Sequence, residues 1–196
     1  NEFDRVLGGG LVHGSIILLG GEPGIGKSTL VLQSAGKMSL SHSVLYVTAE
    51  ESLEQVKVRW ARLNQRDSNL KVFAENNLSI IIQEITESKP TIAIIDSIQT
   101  ITNNELESAS GSVSQVRSCS SELQKLAKDN NIALLIIGHV TKDGTLAGPK
   151  TLEHLVDVVL NFEGDQIASH RLLRGIKNRF GATFELGIFE MLENGL

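Results

Sequence analysis

The sequence has little cysteine and few aromatic residues, and it has no long apolar run. Its one cysteine, Cys119, excludes an internal disulfide bond and a cysteine-based zinc site. Because disulfide bonds are typical of oxidising compartments, we expect a cytoplasmic protein. No apolar stretch reaches the ~18 residues that a transmembrane helix needs, so no membrane association is expected. Aromatic residues are only 4% of the chain, so the core must depend on aliphatic side chains.

Positive charge is also scarce, because the 196-residue chain has a formal net charge of −5 at pH 7. This balance argues against tight, non-specific binding of nucleic acid by the isolated chain, since such binding depends on neutralising phosphates. One stretch, residues 166–184, differs because it holds four basic residues and no acidic one. It is either a solvated strand face or an edge that contacts an anion.

Short apolar segments alternate with helical patterns in the first 139 residues. The predicted strands cover residues 15–20, 43–49, 70–74, 91–96 and 132–139, and the predicted helices cover 28–37, 52–63, 78–88 and 113–129. Several strand segments are apolar throughout, which is typical of a parallel sheet buried on both faces. After His139, strand-like segments joined by glycine-containing turns predict an antiparallel extension. The predicted fold is therefore α/β, with a mostly parallel central sheet, flanking helices and an antiparallel C-terminal extension.

A glycine-rich stretch between the first predicted strand and the first predicted helix has the pattern of a phosphate-binding loop. Residues 21–28 fit the motif G-x-x-x-x-G-K-[ST] in every position. Gly24 and Gly26 let the backbone wrap so that its N–H groups point at phosphate oxygens, and the helix N-terminus adds partial positive charge. The sequence thus predicts binding of ATP or ADP. The predicted nucleotide-binding residues are Gly21, Glu22, Pro23, Gly24, Ile25, Gly26, Lys27, Ser28 and Thr29.

Individual side chains of this loop have predicted roles. Lys27 supplies a full positive charge to the β- and γ-phosphates, and Thr29 can reach the α-phosphate. Ser28 offers its hydroxyl to Mg²⁺. Asp96 ends the apolar strand segment 91–96, where a carboxylate can hold a magnesium-bound water at the ligand-binding edge of the sheet. Ser28 and Asp96 are therefore the predicted Mg²⁺ residues.

Hydrolysis of a nucleotide also requires a group that orients water, and two adjacent carboxylates follow the strand at 43–49. We favour Glu50 as the water activator, while Glu51 would lie in the first helical turn, where negative charge is favourable. The choice between them stays open at this point. His139 ends the strand segment 132–139 at the same predicted edge. It is either a sensor of the γ-phosphate that acts on the following loop, or a strand-end histidine bonded to the backbone.

Motifs outside the phosphate loop carry a family resemblance. The segments "EFDRVLGGG", "YVTAEES", "IIDSIQT", "GHVTKDGTLAGPKTLEHLVD" and "KNRFG" resemble the ATPase core of the bacterial RadA (Sms) family over nearly the whole chain. Many unrelated proteins share the phosphate loop, whereas "KNRFG" after "GHVTKDG" is far more specific. The resemblance implies a RecA-like core that forms hexameric rings and binds single-stranded DNA. It also implies ATP-driven branch migration in recombinational DNA repair, alongside a recombinase partner.

The resemblance implies roles for several basic residues. Lys177 and Arg179 of "KNRFG" are two residues apart, which on a strand would place both on one face. By analogy with RecA-like ATPases, they contact the γ-phosphate of ATP bound to a neighbouring subunit. The loops at 102–111 and 140–149 would face the pore of the ring, and both are expected to be mobile. Lys142 and Lys150 are the predicted DNA contacts, since sixfold repetition would create a basic channel.

The length suits one domain, and the chain is expected to be a single RecA-like ATPase domain over residues 1–196. The zinc module and the Lon-protease-like domain that are usual in the family are expected to be absent. Two other functions stay open. One is a KaiC-like regulatory ATPase or kinase, whose opening pattern and phosphate loop are similar. The other is a nucleotide-dependent assembly module with little turnover.

Overall fold

An eight-stranded sheet with helices on both faces forms the part of the chain that the structure describes. The structure is a computed structural model that describes residues 2–63, 68–139, 150–164 and 170–196, without the side chains of Lys150 and Thr151. The strands are β1 (Ile16–Gly21), β2 (Val44–Thr48), β3 (Lys71–Ala74), β4 (Ile92–Asp96), β5 (Ala133–Ile137), β6 (Val158–Gly164), β7 (His170–Asn178) and β8 (Leu186–Glu190). The helices are α1 (Glu2–Val6), α2 (Lys27–Met38), α3 (Leu53–Arg62), α4 (Leu78–Ser88), α5 (Val113–Asp129) and α6 (Lys150–Glu153), with a 3₁₀ turn at Ile98–Thr100.

The sheet has the strand order β3-β2-β4-β5-β1-β6-β7-β8. The strands from β3 to β6 pair in parallel, and β7 and β8 extend the sheet in antiparallel pairing. The predicted fold class is thus confirmed, including the antiparallel extension. The pattern was informative because strands that are covered on both faces must be apolar at every position.

Two apolar layers cover the sheet, one on each face. Ile16 and Leu18 of β1 pack in the layer formed with α4 and α5, whereas Ile17 and Leu19 pack in the layer formed with α1, α2 and α3. This division follows from the alternation of side chains along a strand. Burying each such side chain contributes roughly 1.5–3 kcal/mol relative to exposure, so the strands and their ends are held firmly. None of the helices in the described ranges has the length and apolar character that crossing a bilayer requires.

A capping interaction determines where α3 begins. The Ser52 side chain accepts a hydrogen bond from the backbone N–H of Gln55, and the Gln55 side chain accepts one from the backbone N–H of Ser52. This reciprocal pair satisfies two donors that the first helical turn leaves free. Because the helix cannot begin earlier, Glu50 and Glu51 remain in the short connection between β2 and α3.

The carboxyl ends of the central strands meet at one edge of the sheet. Strands β2, β4, β5 and β1 are parallel neighbours in the order of the sheet, so their last residues lie side by side. In open α/β sheets this edge is where ligands bind. The fold therefore gathers the segments after Gly21, Thr48, Asp96 and Ile137, which contain most of the predicted site residues.

Candidate active site

The phosphate loop connects β1 to α2 and depends on glycine at two positions. Gly24 has φ of 78° and Gly26 has φ of 111°, both in the region that residues with a Cβ rarely adopt. An ideal Cβ on Gly24 would have no heavy atom within 4 Å, so backbone conformation is the constraint there rather than space. At Gly26 a Cβ would also lie 2.5 Å from the terminal methyl of Met191. The loop thus has the backbone shape that a phosphate cradle requires.

Lys27 is buried at the start of α2, with 3% of its surface exposed. Its Nζ donates hydrogen bonds of 2.8 Å to the carbonyl oxygens of Gly21 and Glu22. Burial lowers the pKa of Lys27 to about 8, although the carboxylates of Asp96 and Glu50 act in the opposite direction. The ammonium group therefore lies inside the loop, where it can meet the β- and γ-phosphates of a nucleotide.

Asp96 is the last residue of β4 and is 3% exposed. Burial raises its pKa, and a hydrogen bond from the Tyr46 hydroxyl to Oδ2 and the nearby Ser28 hydroxyl act in the opposite direction. The other carboxylate oxygen, Oδ1, is buried and has no hydrogen-bond partner among the described residues. A buried oxygen without a partner is costly unless a ligand satisfies it. Asp96 and Ser28 thus fit the oxygen donors that Mg²⁺ prefers.

The described side chains form no group of three or more histidine, cysteine, aspartate or glutamate residues suited to a metal ion. A magnesium site does not require such a group, because Mg²⁺ keeps several waters and takes one or two protein ligands beside the phosphates of its substrate.

Glu50, which follows β2, contacts His139, which follows β5, although β4 lies between these two strands. Nε2 of His139 lies 3.0 Å from Oε1 of Glu50, and both side chains are partly exposed at the sheet edge. The hydrogen bond from His139 is the main reason why the pKa of Glu50 is below its usual value. Glu51, in contrast, forms a two-point ion pair with Arg59 of α3. The two adjacent carboxylates therefore have different environments, and only Glu50 lies in contact with another predicted site residue.

Lys177 and Arg179 lie on the other side of β1 from Glu50, Asp96 and His139. In the order of the sheet, β6 separates β7 from β1, the strand that precedes the phosphate loop. Lys177 lies in β7, and Arg179 directly follows the last residue of this strand, Asn178. The backbone N–H of Arg179 bonds to the carbonyl oxygen of Asp157, the residue before β6. Nζ of Lys177 donates to the carbonyl oxygens of Glu153 and Val156, at 2.6 Å and 2.7 Å. Nη1 of Arg179 lies 3.0 Å from Oδ1 of Asp157, and the arginine side chain stays 55% exposed.

The predicted DNA contacts are only partly covered by the structure. Lys142 and the loop at 140–149 lie outside the described residues, and Lys150 is described only as the first residue of α6. The loop at 102–111 is described and has a defined set of hydrogen bonds. The Gln115 side chain of α5 accepts from the Asn103 N–H at 2.8 Å and donates to the carbonyl oxygens of Asn103 and Ser108 at 3.1 Å and 2.9 Å.

Hydrogen bonds also connect this loop to His139. The Gln99 side chain donates to the His139 carbonyl at 3.3 Å, and the Gln99 carbonyl accepts from the Ser110 hydroxyl at 3.1 Å. The sequence interpretation connected His139 to the loop that follows it in the chain. Within the described residues, His139 contacts Glu50 and Gln99, and Gln99 in turn bonds to Ser110 of the loop at 102–111.

Sequence reasoning missed two residues that touch the site. Tyr46 contacts Asp96, and Nε of Arg171 donates to the carbonyl oxygen of Ile25 in the phosphate loop at 3.2 Å. A buried tyrosine needs a partner for its hydroxyl, so Tyr46 between two apolar neighbours was a usable indication. Nothing in the sequence indicated Arg171 over the other basic residues of its segment.

Comparison with known proteins places these features in a family. Residues 2–145 match the family described as AAA domain. The chain is 55% identical over 195 residues to the DNA repair protein RadA of Streptococcus pneumoniae (strain ATCC BAA-255 / R6). This alignment covers 100% of the chain but 46% of the relative, so the chain spans about half the length of that protein. The resemblance to the ATPase core of the RadA family is thus confirmed.

Two solved structures support the fold. A KaiC-like protein from Pyrococcus horikoshii OT3 superposes with a TM-score of 0.79 at 18% identity, covering 98% of this chain and 93% of that protein. The RadB recombinase superposes with a TM-score of 0.72 at 20% identity, covering 100% and 95%. At these identities the likeness establishes a RecA-like architecture and does not by itself assign an activity.

Proposed function

This chain belongs to the AAA domain family, and from that premise we propose that it is the ATP-hydrolysing part of a DNA repair protein. In the proposed activity the chain assembles into a hexameric ring, binds single-stranded DNA and uses ATP hydrolysis to drive branch migration during strand exchange. A cytoplasmic location and a recombinase partner belong to the same proposal. The similarity of the whole chain to part of a DNA repair protein supports it.

One observation carries the proposal, namely the meeting of four predicted site residues at one sheet edge. Lys27 follows β1, Glu50 follows β2, Asp96 ends β4 and His139 follows β5. The pKa of Lys27 responds to Asp96 and Glu50, so these charges lie close together. One cation and two carboxylates beside a phosphate cradle are the groups that phosphoryl transfer requires: a cation for the phosphates, a ligand for the metal ion and a group that orients water.

Each residue then has a defined task in hydrolysis. The backbone N–H groups of residues 24–27 and the Lys27 ammonium bind the triphosphate and offset its negative charge. Glu50 is a carboxylate at neutral pH, and it accepts a hydrogen bond from the attacking water. It takes the proton of this water as the water oxygen bonds to the γ-phosphorus and the bond from the γ-phosphorus to the leaving ADP oxygen breaks. His139 holds the Glu50 carboxylate in place. Bound Mg²⁺, held through Ser28 and Asp96, would neutralise charge on the phosphates.

Residues from a neighbouring subunit complete the proposed site. Arg179 is half exposed and pairs with Asp157, so it can exchange that partner for a phosphate. Lys177 is bound by two carbonyl oxygens and has less freedom to do so. A cation supplied in this way can accelerate phosphoryl transfer by about 10³–10⁵. Lys142 and Lys150, repeated around the ring, are the proposed contacts to DNA phosphates.

The test is to mix two inactive variants of this chain, Lys27→Ala and Arg179→Ala. Each variant alone should lose most of its ATP turnover in the presence of single-stranded DNA. If sites are shared between subunits, about a quarter of the interfaces in a random 1:1 mixture combine an intact Lys27 with an intact Arg179, so turnover should recover to a similar fraction. Released phosphate measures turnover, and light scattering measures assembly.

The control is Arg174→Ala, which changes another basic residue of β7 and should keep full turnover. Mixed rings without any recovery of turnover would contradict shared sites. Turnover that does not respond to single-stranded DNA would contradict the DNA-dependent activity. Phosphate transferred to the protein itself would favour the KaiC-like kinase, and rings without turnover would favour the assembly module.

A further inference from the structure

Tyr46 is a polar residue in the middle of the sheet. It lies in β2 with 0% of its surface exposed, and both neighbours in the strand are apolar. Strand β2 pairs with β4 in a register that places Thr48 opposite Asp96. Tyr46 is therefore opposite Ile94, the residue two positions before Asp96 in β4. Its hydroxyl reaches along the sheet and donates a hydrogen bond to Oδ2 of Asp96.

This bond acts on only one of the two carboxylate oxygens. The terminal torsion of an aspartate side chain has a broad energy profile, so an unrestrained carboxylate can rotate. A donor bonded to Oδ2 removes that freedom and determines the direction of Oδ1. In this structure Oδ1 is buried and has no hydrogen-bond partner among the described residues. Asp96 is thus held with Oδ2 satisfied by Tyr46 and Oδ1 without a partner, and the Ser28 hydroxyl lies near the same carboxylate.

We propose that Tyr46 is a positioning residue whose phenolic hydroxyl orients Asp96 so that Oδ1 can bind a divalent cation, directly or through a bound water, together with Ser28. The proposal rests on the proposed function, since it concerns the cation that accompanies the nucleotide. Tyr46 touches neither substrate nor cation and acts through Asp96. Groups that orient a metal ligand in this way typically change metal affinity ~10–100-fold when they are removed.

The variant Tyr46→Phe removes the hydroxyl and keeps the ring that packs in the core. The readout is binding of Mn²⁺, used as a paramagnetic probe of the magnesium site, to the chain saturated with ADP, measured by electron paramagnetic resonance of free Mn²⁺. We expect Mn²⁺ binding to weaken about tenfold or more. Binding of a fluorescent ADP analogue in EDTA should stay within about twofold of the wild-type value, because the phosphate loop is intact.

A matched control separates positioning from a general loosening of the strand. Val44 lies in the same strand and packs in the same apolar layer as Tyr46, and it faces Ile92 rather than Asp96 in the register. Val44→Ala should lower the free energy of unfolding and leave Mn²⁺ affinity unchanged. Equal Mn²⁺ affinity in wild type and Tyr46→Phe would overturn the proposal, as would an equal loss in Val44→Ala. A wild-type chain that binds neither ADP nor Mn²⁺ would instead overturn the proposed function.

A second measurement needs no substitution and covers the case in which Tyr46→Phe fails to fold. Tyr46 is the one tyrosine of the chain, so 3-fluorotyrosine labelling yields a single ¹⁹F resonance. Because the hydroxyl is bonded to Asp96, we expect this resonance to move when Mg²⁺ is added to the ADP-bound chain. A resonance that does not move while Mg²⁺ binds would also overturn the proposal.

Discussion

Glu50 and Glu51 are neighbours in the chain, but they have different partners in the fold. Glu51 is held by the guanidinium of Arg59, which lies in the last turn of α3. This ion pair therefore connects the segment before α3 to the end of that helix. Glu50 contacts His139 on the far side of β4, and no cation within the described ranges binds it at two points. A carboxylate engaged at both oxygens by arginine is a poor acceptor for a water proton, whereas the contact of Glu50 with His139 involves Oε1 alone.

We therefore expect Glu50→Gln and Glu51→Gln to have different effects. Glu50→Gln should lower the rate of ATP turnover about 10²–10⁴-fold, since the amide cannot accept the proton of water, and nucleotide binding should remain. Glu51→Gln weakens the pair with Arg59 and should change turnover far less. Single-turnover phosphate release and binding of a fluorescent ATP analogue measure the two quantities. The reverse ranking of the two variants would assign the water to Glu51.

In the connection between β4 and α5, the loop at 102–111 is held by hydrogen bonds from a side chain of α5. The polar composition of residues 102–111 predicts mobility, yet the structure organises the segment around one buried side chain. Gln115 is 2% exposed and bonds to backbone groups on both sides of the loop. Its donor and acceptor atoms replace the pairing that a strand or helix would supply. The amide is two residues into α5, where the Ser112 cap begins the helix.

Replacing Gln115 by leucine should therefore release the loop. The variant keeps a side chain of similar size but leaves partly buried backbone groups of the loop without partners, which costs up to about 1–3 kcal/mol. Amide hydrogen exchange should become faster at residues 103–108. Gln124→Leu is the matched control, since Gln124 lies in the same helix and bonds to the carbonyl of Leu155 instead. Unchanged exchange in the Gln115 variant would show that the loop depends on other contacts.

For the molecule as a whole, burial of the Lys27 ammonium opposes folding at neutral pH. The pKa of Lys27 is about 8 in the folded chain, below its ordinary value of 10.5. Below pH 8 both states carry the proton, and the full cost of burying the charge is present. Between pH 8 and 10.5 the unfolded chain binds more protons than the folded chain, so this group makes the free energy of unfolding rise with pH.

The variant Lys27→Met should remove this pH dependence. The free energy of unfolding of the variant minus that of wild type should fall by on the order of 1–2 kcal/mol between pH 7 and pH 10, after allowing for solvent screening. Urea unfolding at several pH values measures the difference. Lys37→Met, at an exposed lysine of the same helix, controls for the loss of one lysine. A difference that stays constant with pH would show that the ammonium is not penalised by burial.

Local sequence patterns were enough to predict the parallel sheet, the antiparallel extension and the phosphate loop. These features follow from local patterns, namely apolar runs of strand length and glycines at positions where the backbone must adopt positive φ. Three contacts became visible only in the folded chain: Tyr46 bonds to Asp96, Arg59 engages Glu51 and not Glu50, and Arg179 lies past the end of β7 beside Asp157. The reason is that contacts between distant residues depend on strand order and register, which no short stretch of sequence contains.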